Sequence, residues 1–527
     1  MSNFTILDCT LRDGGYINDW NFGKKGIERI VDYLEQSGVD IIECGFLEDT
    51  KYNENTSIFS DTSQIIPVIT PKKPNTMYVA MIALGDIEPD KIPEYDGKSI
   101  DGIRITFHKH EWEEEREVAL KLMKKGYKVF IQPVGTTTYT DIELIELIEK
   151  VNEINPYAFY IVDTLGTMNA KEVLRLFFII ENNLYKEIKI GFHSHNNLQL
   201  SFSNAQELLK LKTEHDVIID SSVFGMGRGA GNLATELIAQ YMNDNLNAKY
   251  RIAPLLSIID EYLSKTYKAT PWGYSLPYYL AAVNGCHPNY ASYLMNKQTI
   301  NIEMMGKIIN EMSIEKRALY DESYIESIYR DFQENQIDDS CVLDELKKLV
   351  SGRDIIIIGT GISIITYEKK IKEYIKQNDS IVITINFNSN TYNQDFIFIS
   401  NQKRFLGMEG LEGKKVIATS NISYNKGLEV MAVDYMSLLG EGREADNAGV
   451  MLMTLLSRVG IKKVTVAGLD GFKINGQSNY FSEEIVSPFE RQALIQKNED
   501  INRQLININE KIAIQFITPT EYSIGNK

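Results

Sequence analysis

Long apolar runs are missing from this sequence. The longest, such as Ile355–Ile358, are strand-length, far short of the roughly 20 residues a membrane span needs. A basic leader followed by an apolar stretch is missing as well. Phe4-Thr5-Ile6-Leu7 enters a strand pattern almost at once, so the cytoplasm is the expected location and no membrane partner is expected. Positive charge is scarce: 55 Lys and Arg stand against 72 Asp and Glu, a formal net charge of −17. That balance argues against nucleic acid, whose phosphates are held mainly by Lys and Arg. Cysteine is scarce and scattered (Cys9, Cys44, Cys286, Cys341), with no Cys-x-x-Cys spacing for a paired-cysteine zinc or redox site. Cys9 and Cys44 stand inside apolar strand patterns and read as small core residues. Internal repeats and low-complexity tracts are absent too.

What is present has ordinary globular proportions, 43% hydrophobic and 24% charged, and 527 residues imply two or three domains. Eight β-branched runs mark the first half: Thr5–Cys9, Asp40–Gly45, Met77–Ala83, Gly102–Thr106, Lys128–Gln132, Ala158–Asp163, Ile188–Phe192 and Val217–Ser221. Helical patterns lie between most of them, among them Lys24–Ser37, Glu111–Lys125, Asp141–Asn152, Ala170–Asn182 and Gln199–Leu211. Leu47–Pro74 reads as a long loop with at most a short helix. Eight strands at this spacing predict an α/β fold, a closed (β/α)₈ TIM barrel over residues 1–250. From 251 to 349 strands vanish, and a helical extension is expected. Residues 350–527 return to alternation, with strands at Ile355–Gly359, Ser380–Phe387, Phe396–Ser400, Lys415–Thr419 and Val464–Gly468. They predict a separate Rossmann-like domain with an Asp-capped helix at Asp446–Val459.

In such a barrel the residues just past the strand C-termini face the active site. Polar groups recur there: Arg12-Asp13-Gly14 after strand one, Glu43 on strand two, His108 after strand four, Gln132 on strand five and Thr164 after strand six. His193-Ser194-His195 ends strand seven, and Gly225–Asn232 follows strand eight. Alternate residues at a strand end project to one side, so the two imidazoles can converge on one ion. They use two of only six histidines in the chain. A carboxylate, Asp13, would complete the set, while Arg12 supplies a permanent cation with a planar donor fork. The glycine-rich stretch lacks the Lys-Ser/Thr ending of a P-loop. It reads as a mobile loop that either brings the Asn232 amide oxygen to the ion or places Asn232 as the cap of a helix at Leu233–Tyr241. Glu43, Gln132 and Thr164 are candidate substrate contacts.

Three separated motifs match one family in order: Asp8-Cys9-Thr10-Leu11-Arg12-Asp13-Gly14, His193-Ser194-His195, and Gly229-Ala230-Gly231-Asn232-Leu233-Ala234-Thr235-Glu236. Over roughly residues 1–245 the chain resembles the HMG-CoA lyase-like (DRE-TIM) metallolyases, a group that includes 4-hydroxy-2-oxovalerate aldolases, HMG-CoA lyases and the isopropylmalate and homocitrate synthases. The resemblance implies a divalent metal on Asp13, His193 and His195, joined by Asn232 in some members, and an enolate oxygen stabilised by Arg12. The helical extension looks most like that of the oxovalerate aldolases. One position departs. Where those aldolases carry a histidine thought to act as base, and the condensing members a glutamine, this chain has Tyr16. Either Tyr16 or His108 is then the candidate base.

The expected activity is a metal-dependent aldolase joining or separating pyruvate and an aldehyde through an enolate. Mn²⁺ is the expected ion, with Mg²⁺, Co²⁺ and Zn²⁺ also suited to mixed O/N donors. The expected partners are a small 2-oxo acid, an aldehyde and a second copy of the chain in a dimer. Acyl-CoA Claisen condensation or 3-hydroxyacyl-CoA lysis is the alternative. A different alternative is a carbohydrate-assembly protein, because Gly359-Thr360-Gly361 after a strand could present backbone N–H groups to a nucleotide phosphate. With Asp446–Gly449 and Val464–Gly471, this region bears some likeness to the Rossmann-type domains of sialyltransferase-like proteins.

Overall fold

The structure, a computed structural model, describes residues 4–424, 427–442, 444–473 and 491–524. The chain divides into two compact units, Met1–Asn289 with Ile314–Tyr320, and Tyr290–Ser313 with Asp321–Lys527. The helical stretch after residue 250 is thus shared between them rather than forming a block of its own. Among the described residues no helix is long and apolar enough to cross a membrane.

The first unit is a closed barrel of eight parallel strands: β1 (Phe4–Asp8), β2 (Ile41–Leu47), β3 (Met77–Ala83), β4 (Gly102–Phe107), β5 (Lys128–Pro133), β6 (Ala158–Asp163), β7 (Lys189–Ser194) and β8 (Val217–Ser221). Each pairs with the next in sequence, and β1 pairs with both β8 and β2 to close the ring. Around it lie α1 (Lys24–Ser37), α2 (Trp112–Lys124), α3 (Asp141–Ile154), α4 (Ala170–Asn183), α5 (Ser201–Leu209) and α6 (Thr235–Leu246). Their sequences explain them. In α1, Ile27, Ile30, Val31 and Leu34 recur at helical spacing and are buried, and Gly38 ends the helix at φ 80°, a conformation that costs glycine little. Capping boxes open two others, Thr140 with Glu143 at α3 and Asn169 with Glu172 at α4; each satisfies backbone N–H groups that a helix start leaves free. The long loop after β2 holds only a two-residue strand, Ile58–Phe59, and single helical turns at Thr62–Ile65 and Ile66–Ile69.

The barrel interior is layered. Leu7, Ile41, Val79, Phe130, Ala158 and Ile218 form an apolar layer. Next comes a charged one, because alternation along the strands also points Glu43, Arg104 and Asp220 inward. Gly191 on β7 makes room in it: a Cβ there would meet the Tyr160 ring at 2.3 Å.

Among its described residues the second unit holds seven parallel strands, β9 (Ile355–Ile358), β10 (Ile381–Ile385), β11 (Phe396–Ile399), β12 (Val416–Thr419), β13 (Val430–Val433), β14 (Lys463–Ala467) and β15 (Ala513–Phe516). Their order is β13-β12-β11-β10-β9-β14-β15. Winding therefore reverses between β9 and β14, the switch point at which open α/β sheets form a crevice. The helix expected from Asp446 spans Ala448–Arg458, and its cap is Asn447, whose side chain accepts from Gly449 and Val450 N–H. Asp446 instead accepts from the Tyr329 hydroxyl at 2.5 Å.

Candidate metal centre

Asp13, His193 and His195 meet at the C-terminal mouth of the barrel, and one ligand atom from each lies within 4.8 Å of the others. The turn after β1 fixes Asp13, whose N–H donates to the Cys9 carbonyl at 2.8 Å. The two histidines sit two residues apart on and just past β7. His193 is set by its far nitrogen: Nδ1 lies 3.1 Å from Asp220 Oδ2. A carboxylate acceptor there places the ring proton on Nδ1 and leaves the Nε2 lone pair for an ion. Asn232 joins the site from the glycine loop. Its amide nitrogen donates to Asp13 Oδ2, and its Oδ1 is buried without a partner. An orphaned amide oxygen beside one carboxylate and two imidazoles fits a divalent cation.

Arg12 lies at the floor of this site, 5% exposed. Its Nε donates to Glu43 at 2.9 Å and its Nη1 to Asp13 at 2.6 Å, while Nη2 is buried with no acceptor. Burial pushes the Asp13 carboxyl up, but Arg12 and then the two imidazoles outweigh it and hold the group well below the usual carboxylate range. Burial also lowers His195 to about 3, against the pull of Asp13. Both groups therefore keep lone pairs at neutral pH.

Arg12, Asp13, Tyr16, His108, Gln132, Thr164, His193 and His195 line one cavity of about 350 Å³. Glu43 does not. Expected as a substrate contact, it is 1% exposed and lies beneath the floor, paired with Arg12 and, at 2.8 Å, with Arg104. The phenol of Tyr16 is raised by burial and then by Asp13, which weakens it as a base. The glycine loop, expected to be mobile, is pinned. Asn232 N–H donates to the Gly225 carbonyl at 3.0 Å, and Asn196 N–H to the Gly231 carbonyl at 2.7 Å.

Several functional residues escaped the sequence reading. Arg104 is fully buried and ion-pairs with both Glu43 and Asp220, while Tyr160 donates to Asp220 at 3.1 Å. Their signal was a charge at an inward position of a β-branched run. Arg228, His287 and Asn289 also line the cavity, and no spacing rule joins residues so far apart.

Gly359 and Gly361 border a second cavity of about 160 Å³ at the switch point of the second unit. Their smallness serves neighbouring backbone and side chains. A Cβ on Gly359 would meet the Gly468 carbonyl at 2.4 Å, and one on Gly361 the Asp470 carboxyl at 2.4 Å. Asp470 accepts from both the Ser363 backbone N–H and the Ser363 hydroxyl. The turn expected to cradle a phosphate is thus already occupied by a carboxylate of the chain itself, which would repel one.

Residues 109–258 match the HMGL-like family. An oxaloacetate decarboxylase of Mycobacterium tuberculosis is 25% identical over 247 residues, 44% of this chain and 68% of its own length. A 4-hydroxy-2-oxovalerate aldolase of Chloroflexus aurantiacus is 24% identical over 269 residues, 48% of this chain and 76% of its own. Among solved structures, the N-terminal domain of a Bacteroides vulgatus protein described as an aldolase is 25% identical with a TM-score of 0.48, over 55% of this chain and 96% of that one. The Bacillus subtilis HMG-CoA lyase is 17% identical with a TM-score of 0.42, over 51% and 96%. Residues 109–258 thus carry an HMGL-like match that includes His193, His195 and the Asn232 loop, and the barrel brings Asp13 to the same two histidines.

Proposed function

We propose that this protein is a divalent-metal-dependent carbon–carbon lyase or aldolase acting on a 4-hydroxy-2-oxo acid through an enolate. The observation that carries the reading is the buried, unpartnered Nη2 of Arg12 beside the Asp13–His193–His195 cluster. A preorganised donor with no ground-state acceptor suits an oxygen that becomes anionic only during reaction. Asp13, His193, His195 and Asn232 would hold the cation, which would supply Lewis acidity toward the 2-oxo acid. Mn²⁺ is the ion we assign, with Mg²⁺, Co²⁺ and Zn²⁺ also suited to mixed O/N donors.

In cleavage, a base takes the C4 hydroxyl proton and the C3–C4 bond breaks. Its electron pair passes to the enolate, whose oxygen Arg12 Nη2 meets. An aldehyde departs, and protonation at C3 gives pyruvate. We assign the base to His108, whose imidazole lines the same cavity as the metal cluster, rather than to Tyr16, whose phenol is pushed upward. Both relatives' names carry a 2-oxo acid. The decarboxylation named for the M. tuberculosis relative would break a carbon–carbon bond and leave the same enolate with no hydroxyl proton to remove.

The test is exchange of pyruvate methyl protons with deuterated solvent, followed by NMR on the metal-loaded full-length protein. Exchange that stops with chelator is expected. Absence of exchange in a metal-loaded, folded protein would falsify the enolate reading. Release of aldehyde or of CO₂ then separates the two substrates.

A further inference from the structure

We infer that the substrate carries a second anionic group, distal to its 2-oxo acid end, and that Arg228 binds it. The inference rests on the enolate reading and specifies its substrate class.

Three arginines serve the barrel site, and their compensation is unequal. Arg12 pairs with Asp13 and Glu43, and Arg104 with Glu43 and Asp220. Among the described residues no carboxylate lies within ion-pair distance of Arg228. Its partners are neutral. Nη2 donates both its hydrogens, one to His287 Nε2 at 2.7 Å and one to Asn289 Oδ1 at 2.9 Å. Burial and then Arg228 itself push the His287 imidazole down to about 3. Because arginine can only donate, Nε2 carries the lone pair and the ring proton sits on Nδ1. His287 thus anchors the guanidinium without neutralising it. The Nη1 and Nε donors have no acceptor among the described residues, and Arg228 lines the cavity.

The side chain is held in place. Its central carbon stands 5.6 Å from the centre of the Tyr16 ring, within the range of a cation–π contact. Its backbone carbonyl accepts from Gly231 N–H at 3.0 Å, and Ala230 N–H donates to Asn197 Oδ1 at 3.0 Å. Gly229, next along, has φ 65°, so the turn that presents Arg228 is built on glycine. A permanent charge held in place on a cavity-lining residue, with spare donors and only neutral partners, is set up for an anion.

The two cavity guanidiniums are held by different kinds of partner, Arg12 by two carboxylates and Arg228 by two neutral groups. A substrate with one carboxylate leaves Arg228 facing water. One with a second carboxylate or a phosphate satisfies both. The aldehyde released by cleavage would then keep that group.

The experiment uses full-length, Mn²⁺-loaded protein and calorimetric Kd values for pyruvate, 2-oxoadipate and 4-phosphono-2-oxobutanoate. The readout is the affinity ratio of each dianionic probe to pyruvate. A ratio of about ten or more is expected, and the larger of the two tells a carboxylate from a phosphate. Arg228→Gln should collapse the ratio to about one, and Asn289→Ala should reduce it by loosening the clamp. A ratio near one in the native protein, with pyruvate bound and its methyl protons exchanging, overturns this inference and leaves the enolate reading standing. A full ratio retained in Arg228→Gln overturns the assignment to Arg228. No binding or exchange of pyruvate overturns both.

Discussion

Asp220 never reaches the cavity, yet it orients a residue that does. Its carboxylate is held by Arg104 and Tyr160 and fixes the ring of His193. Asp220→Asn should weaken metal affinity by about 10–100-fold, measured by competition with a chromophoric chelator. Arg104→Met removes the cation that Glu43 and Asp220 share inside the barrel. The cost should be about 3–5 kcal/mol of stability, as for other broken buried pairs, read from urea midpoints. Arg12→Lys should keep the metal, because no ligand is lost, while turnover falls by about two orders of magnitude or more. Lysine retains the charge, but its three donors radiate from a single nitrogen and cannot span Glu43, Asp13 and the enolate oxygen as the planar fork does. His193 and His195 were legible in the sequence because they sit at a strand end, where period-two alternation dictates direction, and Arg12 and Asp13 because they lie in the turn just past a strand C-terminus. Arg104 and Asp220 obey the same alternation one layer deeper. The wall was not legible, since Arg228, His287 and Asn289 meet only through tertiary packing.

At the scale of single elements, α2 buries a group that does not belong on an apolar face. Trp112, Glu115, Ala119 and Leu122 form its inner stripe, and both carboxyl oxygens of Glu115 are buried without partners. Burial, and then Glu111, raise this carboxyl well above its ordinary value of 4.5. The unfolded chain ionises it above that pH while the folded chain keeps its proton. The folded state then binds more protons, and stability falls as pH rises. Glu115→Gln should remove that slope, up to about 1.4 kcal/mol per pH unit. It should therefore raise the thermal midpoint more at pH 8 than at pH 5. Which elements the sequence revealed has a similar physical basis. Met77–Ala83, Ala158–Asp163 and Val217–Ser221 match the strands residue for residue, because buried parallel strands are continuous apolar runs. Val430–Val433 and Ala513–Phe516, which the sequence reading did not pick out, are edge strands, partly exposed and only four residues each.

On the scale of the whole molecule, the two units are interleaved along the chain. Tyr290–Ser313 belongs to the second unit, yet Ile314–Tyr320, which follows it, belongs to the first. A cut near residue 345 would leave Tyr290, Leu294, Met305, Ile308 and Ile309, all buried in the intact chain, without the sheet of their unit. That fragment should aggregate. A chain ending at Asn289 keeps Asp13, His193, His195 and Asn232, and should stay dispersed and hold about one metal ion per chain. Size-exclusion chromatography with elemental analysis of both fragments checks this. The interleaving also sets an order of events during synthesis, when segments leave the ribosome from the N-terminus onward. Ala318, Leu319 and Tyr320 close the cavity, and they emerge after a stretch whose own sheet begins only at Ile355. The last wall of the barrel site is therefore delivered between two segments that have as yet nothing to fold against.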